Sequence, residues 1–216
     1  MPYGYVTKQP NQIVNNSGVF STDDVLTLID NGTLGGSLEL IESQSWTTTT
    51  NNLEFTNLKE DVYDVHLIQI KAKPNGAGGS FYYRTSSNGG TSYDSTNGDY
   101  QWAVQRCYAS GSFYEQRNSN AGSLEFYGNA GAGDYARVNR YTYVYNAGNS
   151  SKYTFFTDHS TADDTTYTGY NSTFGGGVRV SASVVNAIQF ITNVGGGFLE
   201  GEAFLYGIKQ LWVLWD

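Results

Sequence analysis

Any catalysis by this chain of 216 residues has few reactive side chains to draw on: His 2, Cys 1 and Asp+Glu 20. His66 stands among Val65, Leu67, Ile68 and Ile70, which are core-forming neighbours, and is expected to be structural. His159 follows Asp158 and precedes Asp163 and Asp164, a grouping that can be read as a metal or acid/base cluster. It lacks a second nearby histidine and a glutamate at ligand spacing, so no transition-metal motif forms. Calcium held by the three aspartates is the residual reading, since hard cations accept loop carboxylates, but the spacing is not that of an EF-hand. Cys107 lies in the apolar run Ala103 to Ala109 and is read as a packing residue. There is no Gly-x-Ser-x-Gly elbow and no glycine-rich loop between a strand and a helix, so neither hydrolase nor phosphate-binding chemistry is supported. Glycoside hydrolysis needs only two carboxylates, and Glu115, Glu125, Glu200 and Glu202 are on offer, but sequence places no two of them at one bond. The expectation is a protein that is not an enzyme, with no cofactor and no bound metal.

Binding is better provided for. Tyr 18, Phe 11 and Trp 4 make the chain 15% aromatic. Aromatic faces stack on pyranose rings while Asn and Asp bind hydroxyls, so a host surface glycan is a candidate partner. The competing reading is that the rings fill the faces of a sheet and its contacts with neighbouring subunits. A net charge of -8 with a pI near 4.6 leaves no basic stripe for a phosphate backbone, so nucleic acid is excluded as a partner. No run reaches the ~18 apolar residues of a membrane helix, no secretory signal opens the sequence, and a lone cysteine fits a reducing compartment. The Asn-x-Ser/Thr triplets at Asn15, Asn31, Asn149 and Asn171 are read as chance in so Asn- and Ser-rich a chain.

The elements that must position these residues are strands. Residues 1–36 read as an extended arm with one short helix. Ser21 or Thr22 can cap that helix, Asp23 and Asp24 suit the positive end of its dipole, and Asn31-Gly32 ends it. From Ser37 the hydrophobic period becomes two. Val62 to Lys73 is predicted as a central strand, with Val65, Leu67 and Gln69 facing opposite to His66, Ile68 and Ile70. Further strands are expected at Leu38 to Trp46, from Phe81, from Tyr100, at Ser112 to Gln116, Ser123 to Tyr127, Arg137 to Tyr145 and Lys152 to Thr157. Asn88-Gly89-Gly90 and Asn97-Gly98 are turn signals. Asp158 to Gly177, polar and rich in Thr and Gly, is predicted as a long surface loop, and Ala187 to Asn193 with Phe198 to Lys209 as a closing hairpin. The fold class is all-β: an antiparallel sandwich of jelly-roll type over 37–210. The final run Gln210 to Asp216 carries Trp212 and Trp215 and needs cover from water.

Two stretches carry a resemblance: "GVFSTDDVLTLIDNGTLGG" from Gly18 to Gly36, and "AIQFITNVGGGFLEGEAFLYGIK" from Ala187 to Lys209. The first is similar to a segment recurring in structural and fibre-like proteins of tailed phages. The second resembles the last two strands of their virion jelly-roll proteins. The resemblance implies a concanavalin-like or jelly-roll domain, commonly trimeric, displayed on the capsid or tail, and it carries over no catalytic residues. The expectation is a virion component assembled in the host cytoplasm, a homo-oligomer with a trimer favoured, of capsid-decoration or fibre type, partnered by other capsid or tail proteins. Its assembly anchor is read as Tyr3, Tyr5, Ile13, Val14, Val19 and Phe20, with Trp212 and Trp215 of the tail. A carbohydrate-binding receptor-recognition module is the alternative.

Overall fold

Alternating side chains shape the chain into strands, and β5 (Tyr100–Tyr108) shows the rule plainly. Tyr100, Trp102, Val104, Arg106 and Tyr108 are buried while Gln101, Ala103 and Gln105 are exposed. The structure, a computed structural model, describes residues 38–76, 80–127, 137–164, 169–193 and 197–209. Within them run, in order, β1 (Leu38–Trp46), β2 (Asn52–Phe55), β3 (Val65–Pro74), β4 (Ser80–Ser86), β5, β6 (Phe113–Ala121) and β7 (Leu124–Tyr127). They are followed by β8 (Val138–Tyr145), β9 (Thr154–Asp164), β10 (Gly169–Arg179), β11 (Ala187–Thr192) and β12 (Phe198–Ile208).

These strands make two antiparallel sheets: one of eight strands in the order β1-β12-β3-β8-β9-β10-β5-β6, one of four in the order β2-β11-β4-β7. The sheets pack face to face, and the core lies between them. Phe81, Tyr83 and Phe190 from the small sheet meet Phe156 and Phe198 from the large one. Phe81 stacks on Phe198 at 5.9 Å between ring centroids, Phe190 on Phe198 at 5.3 Å, and Tyr83 on Phe156 at 6.3 Å. Such ring pairs add to the area they bury, about 0.5–1.5 kcal/mol each. β3 is central in the large sheet, between β12 and β8, as its two-sided apolar pattern predicts. The turn at Asn88-Gly89-Gly90 uses φ of 69° at Gly89 and 84° at Gly90, a region that glycine enters without strain.

Two expectations are corrected. Asp158 to Gly177 is not a surface loop: most of it belongs to β9 and β10, which pair in continuous register from Gly169↔Asp164 to Arg179↔Thr154. Its inward positions are Asp158, Ser160, Ala162, Asn171, Thr173 and the small Gly175 and Gly177, so the run of large apolar residues at a period of two that marks a strand is absent. Nor do β11 and β12 form a hairpin. β11 pairs with β2 and β4 in the small sheet, β12 with β1 and β3 in the large one. Both runs bury apolar side chains, and they meet across the core at Phe190 and Phe198 instead of along a ladder. β2, too short to show a period, was not foreseen. The arm, the short helix and the tail, with Tyr3, Tyr5, Ile13, Val14, Val19, Phe20, Trp212 and Trp215, lie outside the described residues.

Candidate functional site

The outer face of the large sheet carries the exposed chemistry. Register aligns Gln69, Tyr141, His159, Phe174, Gln105 and Glu115 in one line across β3, β8, β9, β10, β5 and β6. Beside it run Lys71, Asn139, Thr161, Ser172, Cys107 and Phe113. Tyr141, Phe155 and Phe174 keep 44%, 46% and 46% of their surface in water, too much for core residues and enough to offer a ring face. Gln69, Lys71, Asn139, Tyr141, His159 and Thr161 border a shallow depression of about 220 Å³. A broader trough of about 740 Å³ runs over Gly176 between Phe155, Thr157 and Val178 on one side and Ala103 and Arg117 on the other.

His159 fixes two hydroxyls beside the depression. Its Nδ1 lies 2.7 Å from the Tyr141 hydroxyl and its Nε2 3.0 Å from Ser172 Oγ. A neutral imidazole has one N–H and one lone pair, so one of these hydroxyls donates to the ring and the other accepts from it. The sequence Ser172, His159, Tyr141 has the order of a nucleophile, a base and an orienting group. It sits in mid-sheet, however, where β10 is paired on both sides by β9 and β5, so strand N–H groups serve the ladders and not an oxyanion. The arrangement holds polar groups in place next to rings.

Most of the residues singled out from sequence are dispersed. Asp158 points into the core and its neighbour His159 out of it, so the aspartate–histidine grouping is split by the pleat. Among the described residues no group of His, Cys, Asp and Glu is placed to hold a metal ion. Glu115 is bound by Arg117 at 2.9 Å, Glu200 by Arg137 at 2.6 Å, and Glu202 lies 3.9 Å from Lys71. Glu115 is on β6 and the other two on β12, with five strands between them. Glu125 is in the small sheet, yet it borders with Glu115 one open trough that Trp102, Arg117 and Asn118 also line. Cys107 is half-buried and faces outward between Ser172 and Phe113. His66 is buried, its Nε2 donating to the Leu58 carbonyl at 2.8 Å, and burial pushes its pKa down against that bond and the charge of Asp64.

One polar cluster escaped sequence reasoning because its members look like surface residues. Arg140 and Asp158 are both buried between the sheets. Arg140 Nη2 donates to the Phe126 carbonyl at 2.5 Å and to Ser160 Oγ at 3.3 Å. Asp158 accepts from Thr142 at 2.6 Å, and Thr142 in turn meets the Tyr83 hydroxyl at 2.8 Å. The guanidinium also lies over the rings of Phe81 and Phe190, at 5.5 Å and 5.6 Å. Burial raises the pKa of Asp158, and Arg140 and Thr142 oppose that rise. A charge pair sealed between two sheets fixes which strands sit together; it has no route to a substrate.

The sandwich and its outer face define a class: an all-β module whose accessible chemistry is rings, amides and hydroxyls on one sheet. No family model and no curated protein matches the chain.

Proposed function

We propose that this protein is a structural component of a tailed-bacteriophage virion, of capsid-decoration or fibre type, that displays a jelly-roll sandwich outward from an anchor within residues 1–36. Two things support the reading: the resemblance of Gly18 to Gly36 and Ala187 to Lys209 to virion proteins, and a body whose reactive groups are tied up while its rings are not. The observation that carries most weight is the outer face of the large sheet, where Tyr141, Phe155 and Phe174 stand half in water across adjacent strands. Tyr143 and Tyr145, half-buried, continue from Tyr141 along β8 with ring centroids 6.2 Å and 6.3 Å apart, and Tyr145 lies opposite Phe155; contiguous rings at a surface mark a place that meets something. The test is deletion of residues 1–32. The truncated protein should fold and fail to enter particles; incorporation at normal occupancy would remove the anchor at Tyr3, Tyr5, Ile13, Val14, Val19 and Phe20.

A second, compatible reading is that the same face recognises a host surface glycan. The depression bordered by Gln69, Lys71, Asn139, Tyr141, His159 and Thr161 favours it, since it pairs a ring face for apolar C–H groups with amide and hydroxyl partners for sugar hydroxyls. A glycan array separates the readings: selective signal supports recognition, and its absence leaves the display role alone.

A further inference from the structure

Among the described residues the large sheet ends at β6, whose one ladder is to β5 and whose other edge is open. From Phe113 to Asn120 only Gln116 is half-buried and the rest are exposed. Open edges of this length are ordinarily blunted by proline, bulges or unbalanced charge, because their free N–H and C=O groups are templates for another strand. β6 has no proline, its one irregularity against β5 falls between Asn118 and Ala121 and leaves Phe113–Asn118 in regular register, and its charges within Phe113–Ala121 are Glu115 and Arg117. Both lie on the outer face, opposite the exposed Gln105 and Ala103, with side-chain exposures of 69% and 78%.

We infer that β6 pairs antiparallel with β6 of a second copy of this chain about a two-fold axis through Gln116, joining two large sheets into one continuous sheet. The charge pattern selects that register. For outer faces to stay on one side, a residue must lie opposite one of its own parity. Centring the axis on Gln116 puts Glu115 of each copy opposite Arg117 of the other, twice. Moving the centre by one residue puts Glu115 opposite Glu115, or Arg117 opposite Arg117, and like charges directly opposite are destabilising. In the chosen register Tyr114 faces Asn118, and Phe113, 67% exposed in the single chain, lies at the irregular end of the partner strand. The isologous contact is self-complementary, as two-fold symmetry demands. It is independent of the virion and glycan readings, since it concerns the sheet edge and not the outer face or the arm.

The test is the mass of the full chain by light scattering or sedimentation, with a matched pair of charge reversals. The unaltered protein should be a dimer. Glu115→Arg gives the edge two cations and Arg117→Glu gives it two anions, so each variant alone should dissociate with an affinity at least about tenfold weaker. Mixing the two should restore a dimer containing one of each, which no change inside a single strand can produce. A melting curve for each variant, close to that of the unaltered chain, establishes that both fold. A monomeric or three-fold unaltered protein, or single variants that dimerise as well alone as mixed, would overturn the pairing.

Discussion

Arg140 and Asp158 face each other diagonally across β8 and β9 with Nε and Oδ1 3.6 Å apart, and neither side chain exposes more than 1% of its surface. A pair so far from water holds itself together only while both members are present. Removing one leaves a buried charge without its partner, so Arg140→Met or Asp158→Asn should each cost about 3–5 kcal/mol. The double variant Arg140→Met with Asp158→Leu should recover most of that loss. Urea unfolding of the three variants measures it, and a double variant as unstable as the sum of the singles would contradict the coupling.

His66 makes stability depend on pH on the acid side of neutrality. Burial holds the folded imidazole neutral, so its folded pKa lies below the ordinary value of about 6.5 that the unfolded chain keeps. Between those two values the unfolded state binds the extra proton, and stability therefore falls as pH drops through that window and is unaffected above it. The urea midpoint should decline as pH falls below the ordinary imidazole value of about 6.5, and His66→Gln should flatten that part of the curve.

Gly207 has no room for a side chain. A Cβ there would lie 2.4 Å from the ring of Tyr63, whose hydroxyl donates to Glu39, which Lys209 also engages. Gly207→Ala should displace the ring and destabilise the protein by about 1–3 kcal/mol. The Glu39 bond and burial raise the Tyr63 phenol to about 12. The same substitution should let it fall toward an ordinary tyrosine, near 10, an effect visible in an NMR titration.

The glycan reading makes its own demand. Tyr141→Ala with Phe174→Ala removes two half-exposed rings from the outer face, along with the Tyr141–His159 bond, and should cost about 0.5–3 kcal/mol while leaving the protein folded, as a melting curve would show. Any selective glycan signal should be lost. Retention of the signal would move recognition to another part of the molecule.

Strand-rich character, the centrality of β3 and the sidedness of His66, Ile68 and Ile70 were legible in the sequence because apolar residues alternate there. The start of β9, Thr154 to Thr157, was legible within the strand expected at Lys152 to Thr157; the rest of β9 and β10 were not, because they turn Asp158, Ser160, Asn171 and Thr173 inward, and a polar interior leaves no apolar period to read. Arg140 was invisible as a core residue for the same reason: its burial is licensed by Asp158, Ser160 and three aromatic rings that approach from other strands. The outer face was foreseen only as an excess of aromatic residues. Which rings share a face is a property of register, fixed by partners remote in sequence.

β12 lies between β1 and β3, so the strand synthesised last among those described is also the one that joins β1, the first of them, to the rest of the large sheet. During translation, β1 has no ladder partner and β3 stands as a bare edge until Phe198–Ile208 is made. Closure over so long a loop makes folding slow, and the waiting intermediate presents unpaired strands to its neighbours. Yield in a heterologous host should hence respond more to chaperone supply and growth temperature than to the stability of the finished sandwich.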